Sequence, residues 1–281
     1  MKIALRRAFA ASVLNHSHDQ RRASFLTVLL AGVAVAAGLT GLVLVAFPGS
    51  TARFFSWGLE PEALVTLIGG SYLASAFVFG AALPRDWHEV RGLAAGTLAL
   101  TIPILVVTFM HLDVFDFDRW QAWAWVILFV ASPLSFGTVL YLSRGSVDGA
   151  GPRLVWWARA VSTALAVTFF AAAVALWWDP ERASRSLPLA LPPLGGRILG
   201  CWISFLAFLA GWSAVRGRWH EARIPLIGLA AFMAGALGGA VRSLASLEPP
   251  GQRVGYIVAL VVLLVVTAVV AARGRVAPLD D

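Results

Sequence analysis

Trp87-His88-Glu89-Val90-Arg91 returns 132 positions later as Trp219-His220-Glu221-Ala222-Arg223. The chain holds only five histidines, so a W-H-E-x-R echo at one fixed distance reads as a tandem duplication. In both places the pentad stands in a short polar gap between two long apolar runs. Outward from it the correspondence continues. Pro48 matches Pro180, Leu59-x-Pro61 matches Leu191-x-Pro193, and Ile68-Gly69-Gly70 matches Leu199-Gly200-Cys201 after a one-residue gap. Phe115-Asp116 then matches Leu247-Glu248, and Arg144-Gly145 matches Arg273-Gly274.

The apolar runs decide the class. Of 281 residues, 59% are hydrophobic and 13% charged, with a mean hydropathy of +0.79. Runs of about 20 apolar residues recur, each long enough to cross roughly 30 Å of hydrocarbon. Eight spans are predicted at 24–47, 62–82, 92–111, 120–142, 154–178, 198–215, 224–241 and 254–272. Lipid offers no partner to a free backbone N–H or C=O, so each span is a helix. The first run is too long for a signal-peptide core and reads as a retained span. Four spans per half is an even number, so both halves enter the membrane in the same sense, related by an axis along its normal. The expected fold is an all-α polytopic bundle of two parallel four-helix repeats, 24–145 and 153–274. A basic segment, 1–23, precedes them and a tail, 275–281, follows.

Charge orients this bundle. Fifteen of the 22 Lys and Arg residues fall on the side bearing both termini and both pentads, and seven on the other. The richer side is cytoplasmic by the positive-inside rule, so both termini are expected inside. The net charge of +7 follows from that bias. With no basic block or aromatic-basic motif, no nucleic-acid partner is expected. The single cysteine, Cys201, excludes an intrachain disulfide framework.

Small residues mark where helices should approach closely: Ala37-x-x-x-Gly41, Gly70-x-x-x-Ala74, Gly92-x-x-x-Gly96 and Gly235-x-x-x-Gly239. The last span is nearly all Val, Leu and Ala and reads as a lipid-facing outer helix. Pro103 and Ser132-Pro133 are candidate kinks. The outer loops 48–61 and 179–197 read as short amphipathic segments on the bilayer. Asp179-Pro180-Glu181 starts a helix in the second, and its Leu187–Leu194 tract is embedded at the interface.

Trp57-x-Leu59-x-Pro61, a glycine-bearing span, the Trp87–Arg91 turn and His111-Leu112-Asp113-x-Phe115-Asp116 before an aromatic-rich span form one pattern. It resembles a group of uncharacterised bacterial multi-span integral membrane proteins. The resemblance covers about 57–134 and, more faintly, 189–256, where Ser243 replaces His111. It implies the fold and a bacterial cytoplasmic (inner) membrane, and brings no activity with it.

Candidate sites follow from residue chemistry. In the pentads, Asp86 and Glu89 cap a helix start, Trp87 and Trp219 sit at the interface, and Arg91 and Arg223 meet headgroups. In the second copy Arg218 replaces Asp86, so half the cap is lost. The sharper alternative gathers His88, Glu89, His220 and Glu221 at the axis as a two-His, two-carboxylate metal site, or makes the pentads a docking surface. On the outer side Glu60, Glu62, Asp113 and Asp116 are either solvated loop charges or an acidic site, and Asp118 pairs with Gln121 as a cap. Arg159, the one charge inside a span, either snorkels to the headgroups or meets a phosphate. A haem would have only His111 as a ligand, so no cofactor is expected.

No Asp, Glu, Lys or His lies near the middle of a span, which removes proton relays and charge-coupled ion sites. No nucleophile-elbow, zinc-protease or P-loop motif occurs. The expected function is therefore non-enzymatic: a membrane scaffold or accessory subunit that binds a lipid or a membrane-protein partner. One alternative is a carrier or channel for an apolar or weakly polar solute. Its path would run between the repeats as a water-accessible cavity lined by Thr66, Ser71, Tyr72, Ser75 and Ser204, with Arg159 as a further candidate. The other is a lipid enzyme whose outer carboxylates, Glu60, Glu62, Asp113 and Asp116, converge in one pocket.

Overall fold

Asp86 shows how the spans begin. Its side chain accepts the Glu89 N–H at 3.1 Å, and a helix runs from Trp87 without a break to Met110. The pentad is therefore the first turn of the helix itself, and Trp219 starts its helix in the same way. The computed structural model describes residues 2–144 and 151–274, with side chains from Ser24 onward. The side chains predicted for 1–23, and the tail 275–281, lie outside the described residues.

Among the described residues eight helices are long and apolar enough to cross a membrane, and the chain is a multi-pass helical bundle. They are α1 (Lys2–Ala46, apolar from Ser24), α2 (Glu62–Ala82), α3 (Trp87–Met110) and α4 (Trp120–Leu142). The second set is α5 (Trp156–Trp178), α6 (Pro193–Arg216), α7 (Trp219–Arg242) and α8 (Pro250–Arg273). Helices α3, α6, α7 and α8 all start ahead of their predicted boundaries, and α6 shows why. It starts at Pro193 rather than 198, because proline suits the first helical turn, where its missing N–H costs nothing. That shift brings Arg197 inside the helix. Pro103 and Pro133 both lie within continuous helices.

Two faces are tied by loop contacts. On one, the motif face, Trp219 N–H donates to Pro152 O, Leu154 N–H to Gly217 O, and Val155 N–H to Gly274 O. The rings of His88 and His220 also meet there, centroids 6.5 Å apart. On the opposite, loop face, Ser56 Oγ donates to the Gln121 carbonyl and Glu248 N–H to the Pro188 carbonyl. The same latch occurs twice: Gln121 Nε2 donates to Arg53 O at 3.4 Å, and Gln252 Nε2 to Arg185 O at 3.3 Å. The 113–118 and 216–223 tracts thus lie on opposite faces.

Helices α2, α3, α6 and α7 form the buried centre, and α1, α4, α5 and α8 the flanks. Contacts recur in matched pairs: α1 on α2 as α5 on α6, α3 on α4 as α7 on α8, and α2 on α7 as α6 on α3. At the α2–α7 crossing the backbones touch, and a methyl group on Gly70 would collide with the Gly235 carbonyl. Gly239 meets the Thr66 carbonyl in the same way, and Gly41 closes on Leu73 and Gly69 of α2. Such approach, available only to residues without side chains, replaces the hydrophobic drive that lipid does not supply. The valines of α8, from Val254 to Val269, line an exposed face. The outer loops depart from the amphipathic reading: Phe55, Trp57, Leu59, Leu189, Leu191 and Leu194 are buried in the protein rather than embedded at the bilayer surface.

The matched pairs differ in one respect. Helices α6 and α7 pack directly, whereas α2 and α3 barely touch. Phe205 and Phe232 fill the α6–α7 gap, ring centroids 5.3 Å apart, where the first half has Ala74 and Leu100. In the first half that gap stays open.

Candidate functional site

The open gap is a cavity of about 420 Å³ inside the first half. Helix α1 contributes Ala37 and Thr40, α2 Tyr72, Ser75 and Phe79, α3 Thr97 and Thr101, and α4 Trp125, Phe129 and Ser132. Trp202 of α6 closes the back, its ring edge-on to Tyr72 at 5.1 Å. Toward the loop face an aromatic roof interlocks: Phe55 with Trp57 at 4.8 Å, Trp57 with Trp125 at 4.9 Å, and Trp125 with Phe129 at 4.3 Å. Trp125 is fixed by donating its N–H to Thr108 Oγ1 at 2.9 Å. Toward lipid the cavity opens between α1 and α4, which make little contact, and exposed Leu39, Val43, Trp120 and Leu128 rim the mouth.

No charged side chain lines it. Hydroxyls supply the polarity, and most of their protons are spent within the protein. Ser75 donates to Ser71 O, Thr97 to Leu93 O, Thr101 to Thr97 O, and Ser56 to Gln121 O. Tyr72, 8% exposed, makes no hydrogen bond to a described residue. A cavity of this size, mostly apolar with a few fixed polar groups, has the character of a small-molecule site.

The seam between the halves, where a carrier path was expected, is filled. Thr66 donates to Ser243 at 2.8 Å across α2 and α7, and Ser71 and Ser204 bond back to their own helices. Only Tyr72 and Ser75 of that predicted set line a cavity, and it lies beside the seam.

A second cavity, about 700 Å³, lies at the loop face between the two outer loops. Glu60 and Glu62 line it, joined by Glu181. Asp113 and Asp116 do not: both are exposed, and Asp116 instead accepts the Asp118 N–H at 3.1 Å. The four-carboxylate convergence required for an enzyme at this face is absent. Asp118 is no cap either, since Arg119 holds that position and Gln121 reaches the Arg53 carbonyl.

At the motif face the histidines meet, and Glu221 Oε1 lies 3.9 Å from His220 Nε2. Glu221 is 1% exposed and accepts from Arg216 Nε, while Glu89 lies 3.5 Å from Arg85. Each carboxylate thus has an arginine beside it, and among the described residues no three potential ligands form a group. The Arg91 guanidinium lies over the Trp212 ring, 5.8 Å from the centroid. Trp87 and Trp219 are partly buried against the core, and Arg223 is half-buried beside them in sequence. Arg159 is exposed, yet its Nε donates to the Ala214 carbonyl at 3.1 Å, capping α6 beneath Gly217.

His111 has both ring nitrogens engaged. Arg197 Nη1 donates to Nε2 at 2.8 Å, which leaves the proton on Nδ1, facing the Val107 carbonyl at 3.0 Å. An axial haem bond has no lone pair left to use. Arg197, missed in the sequence, stands 131 positions after Thr66, as Ser243 stands 132 after His111. The two cross-seam bonds therefore occupy matching places, and that correspondence was the signal available for Arg197. Trp202 and the paired threonines of α3 had none, because an isolated hydroxyl or indole in a span has no spacing to read.

No family model matches the chain, and neither does any curated protein or solved structure.

Proposed function

We propose that this chain is a non-enzymatic integral membrane protein that binds a molecule dissolved in the bilayer, in the cavity of its first half. One observation carries the reading: a chamber with apolar walls and hydroxyls opens sideways between α1 and α4, toward lipid. A water-borne solute would arrive from a face, whereas this mouth is rimmed by exposed apolar side chains. The repeat correspondence supports it. Tyr72, Ser75, Thr97 and Thr101 have Ile203, Leu206, Leu229 and Met233 as counterparts, all aliphatic. One copy of a duplicated quartet kept or gained polarity where the other packed shut. The arginine bias supports a bacterial cytoplasmic membrane with the motif face inward. In that orientation the cavity lies in the outer half of the bilayer.

The test is native mass spectrometry of the protein released from mild detergent. Wild type retains a membrane-derived molecule. Ala37→Phe, which places in α1 the bulk that Phe169 supplies in α5, releases it while the fold persists. No bound molecule in wild type, or equal retention in the variant, would overturn the reading.

A further inference from the structure

We infer that the cavity's occupant is an uncharged amphiphile whose single hydrogen-bond acceptor, a carbonyl, ester or ether oxygen, takes the proton of the Tyr72 hydroxyl. This rests on the binding reading above and names the class of molecule the site takes.

Charge is the first discriminator. With no Asp, Glu, Lys, Arg or His among the lining residues, a charged head would be desolvated without a counter-ion, which costs far more than a neutral dipole. Donor accounting is the second. The hydroxyl protons of Ser56, Ser75, Thr97 and Thr101 go to backbone carbonyls, and Gln121 Nε2 goes to Arg53 O. Thr40 and Ser132 stand on the flanking helices at the partly exposed rim. Tyr72 sits deeper, its ring edge-on to Trp202, and its hydroxyl has no partner among the described residues. A buried tyrosine hydroxyl ordinarily finds one. The Trp202 N–H behind it is also buried and unpartnered, so this wall holds two donors without an acceptor among the described residues. In the second half the counterpart of Tyr72 is Ile203, and no such demand exists there.

The test uses the full chain in nanodiscs and three diazirine photoprobes of equal chain length: an aliphatic methyl ketone, the hydrocarbon without the carbonyl, and a fatty carboxylate. Labelling of peptides from α2 and α4 is measured against probe concentration. The ketone is expected to label them with about fivefold higher affinity than the hydrocarbon, the worth of one net hydrogen bond. The carboxylate is expected to label them least. Tyr72→Phe keeps the ring and brings the ketone down to the hydrocarbon's level. Ser75→Leu, which imports the bulk of Leu206, removes labelling by both. Equal labelling by ketone and hydrocarbon, preference for the carboxylate, or an undiminished ketone preference in Tyr72→Phe overturns the acceptor inference and leaves the binding reading standing. If no probe labels these peptides in wild type, the binding reading falls first. The wild-type ratio decides the matter even if a variant fails to fold.

Discussion

Glu221 and Arg216 carry the sharpest single-residue consequence. The carboxylate is fully enclosed, while the guanidinium, a quarter exposed, also stacks on Trp212 at 5.4 Å. Removing the cation strands a buried charge, whereas neutralising the acid leaves a cation that can reach water. Arg216→Met is therefore expected to cost about 3–5 kcal/mol, and Glu221→Gln clearly less. Thermal melting in detergent checks it, and equal losses would contradict the assignment. The sequence showed that Glu221 had lost its capping partner, but not what replaced it. Arg216 precedes the pentad across a Gly217 turn, and nothing in residue spacing says that a turn folds back. The same blindness applies to Tyr72. It was legible as one of few polar groups in a span, yet its lack of a partner is a fact of packing.

Helices were the legible element, for a physical reason: a lipid-spanning segment must be apolar, long and internally bonded, so length and composition suffice. The ends were less legible. Four helices begin several residues before the predicted starts, because Trp87, Trp219, Pro193 and Pro250 open polar or proline-bearing first turns that hydropathy does not count. Small-residue spacing marked the crossings correctly, and it makes a graded prediction. Gly70→Ala should destabilise by about 1–3 kcal/mol, since its new methyl group meets backbone that cannot yield. Gly238→Ala, with nothing within 4 Å of the added carbon, should be neutral or mildly stabilising. Melting temperatures of the two variants side by side decide this. Comparable losses would mean that the crossing is looser than described.

At the scale of the molecule, the two halves meet where α2 packs on α7, α3 on α6 and α3 on α7, and the first two of these seams are unequal. The α2–α7 seam is backbone against backbone at Gly70 and Gly235, and the α3–α6 seam leans on the Arg197–His111 bond. Coexpressed as two pieces divided within 145–150, the halves should copurify. Gly235→Leu should abolish the association, and His111→Ala should leave more than half of it. Equal loss from both would refute the inequality. The 132-residue echo pointed to a doubled quartet but not to this difference, since divergence between copies shows only where side chains end up. One further consequence lies in the rear wall of the chamber. It is Trp202, a residue of the opposite half, so guest and clasp share a surface. By thermodynamic reciprocity, a guest that favours the joined halves would itself be held more tightly when they are joined.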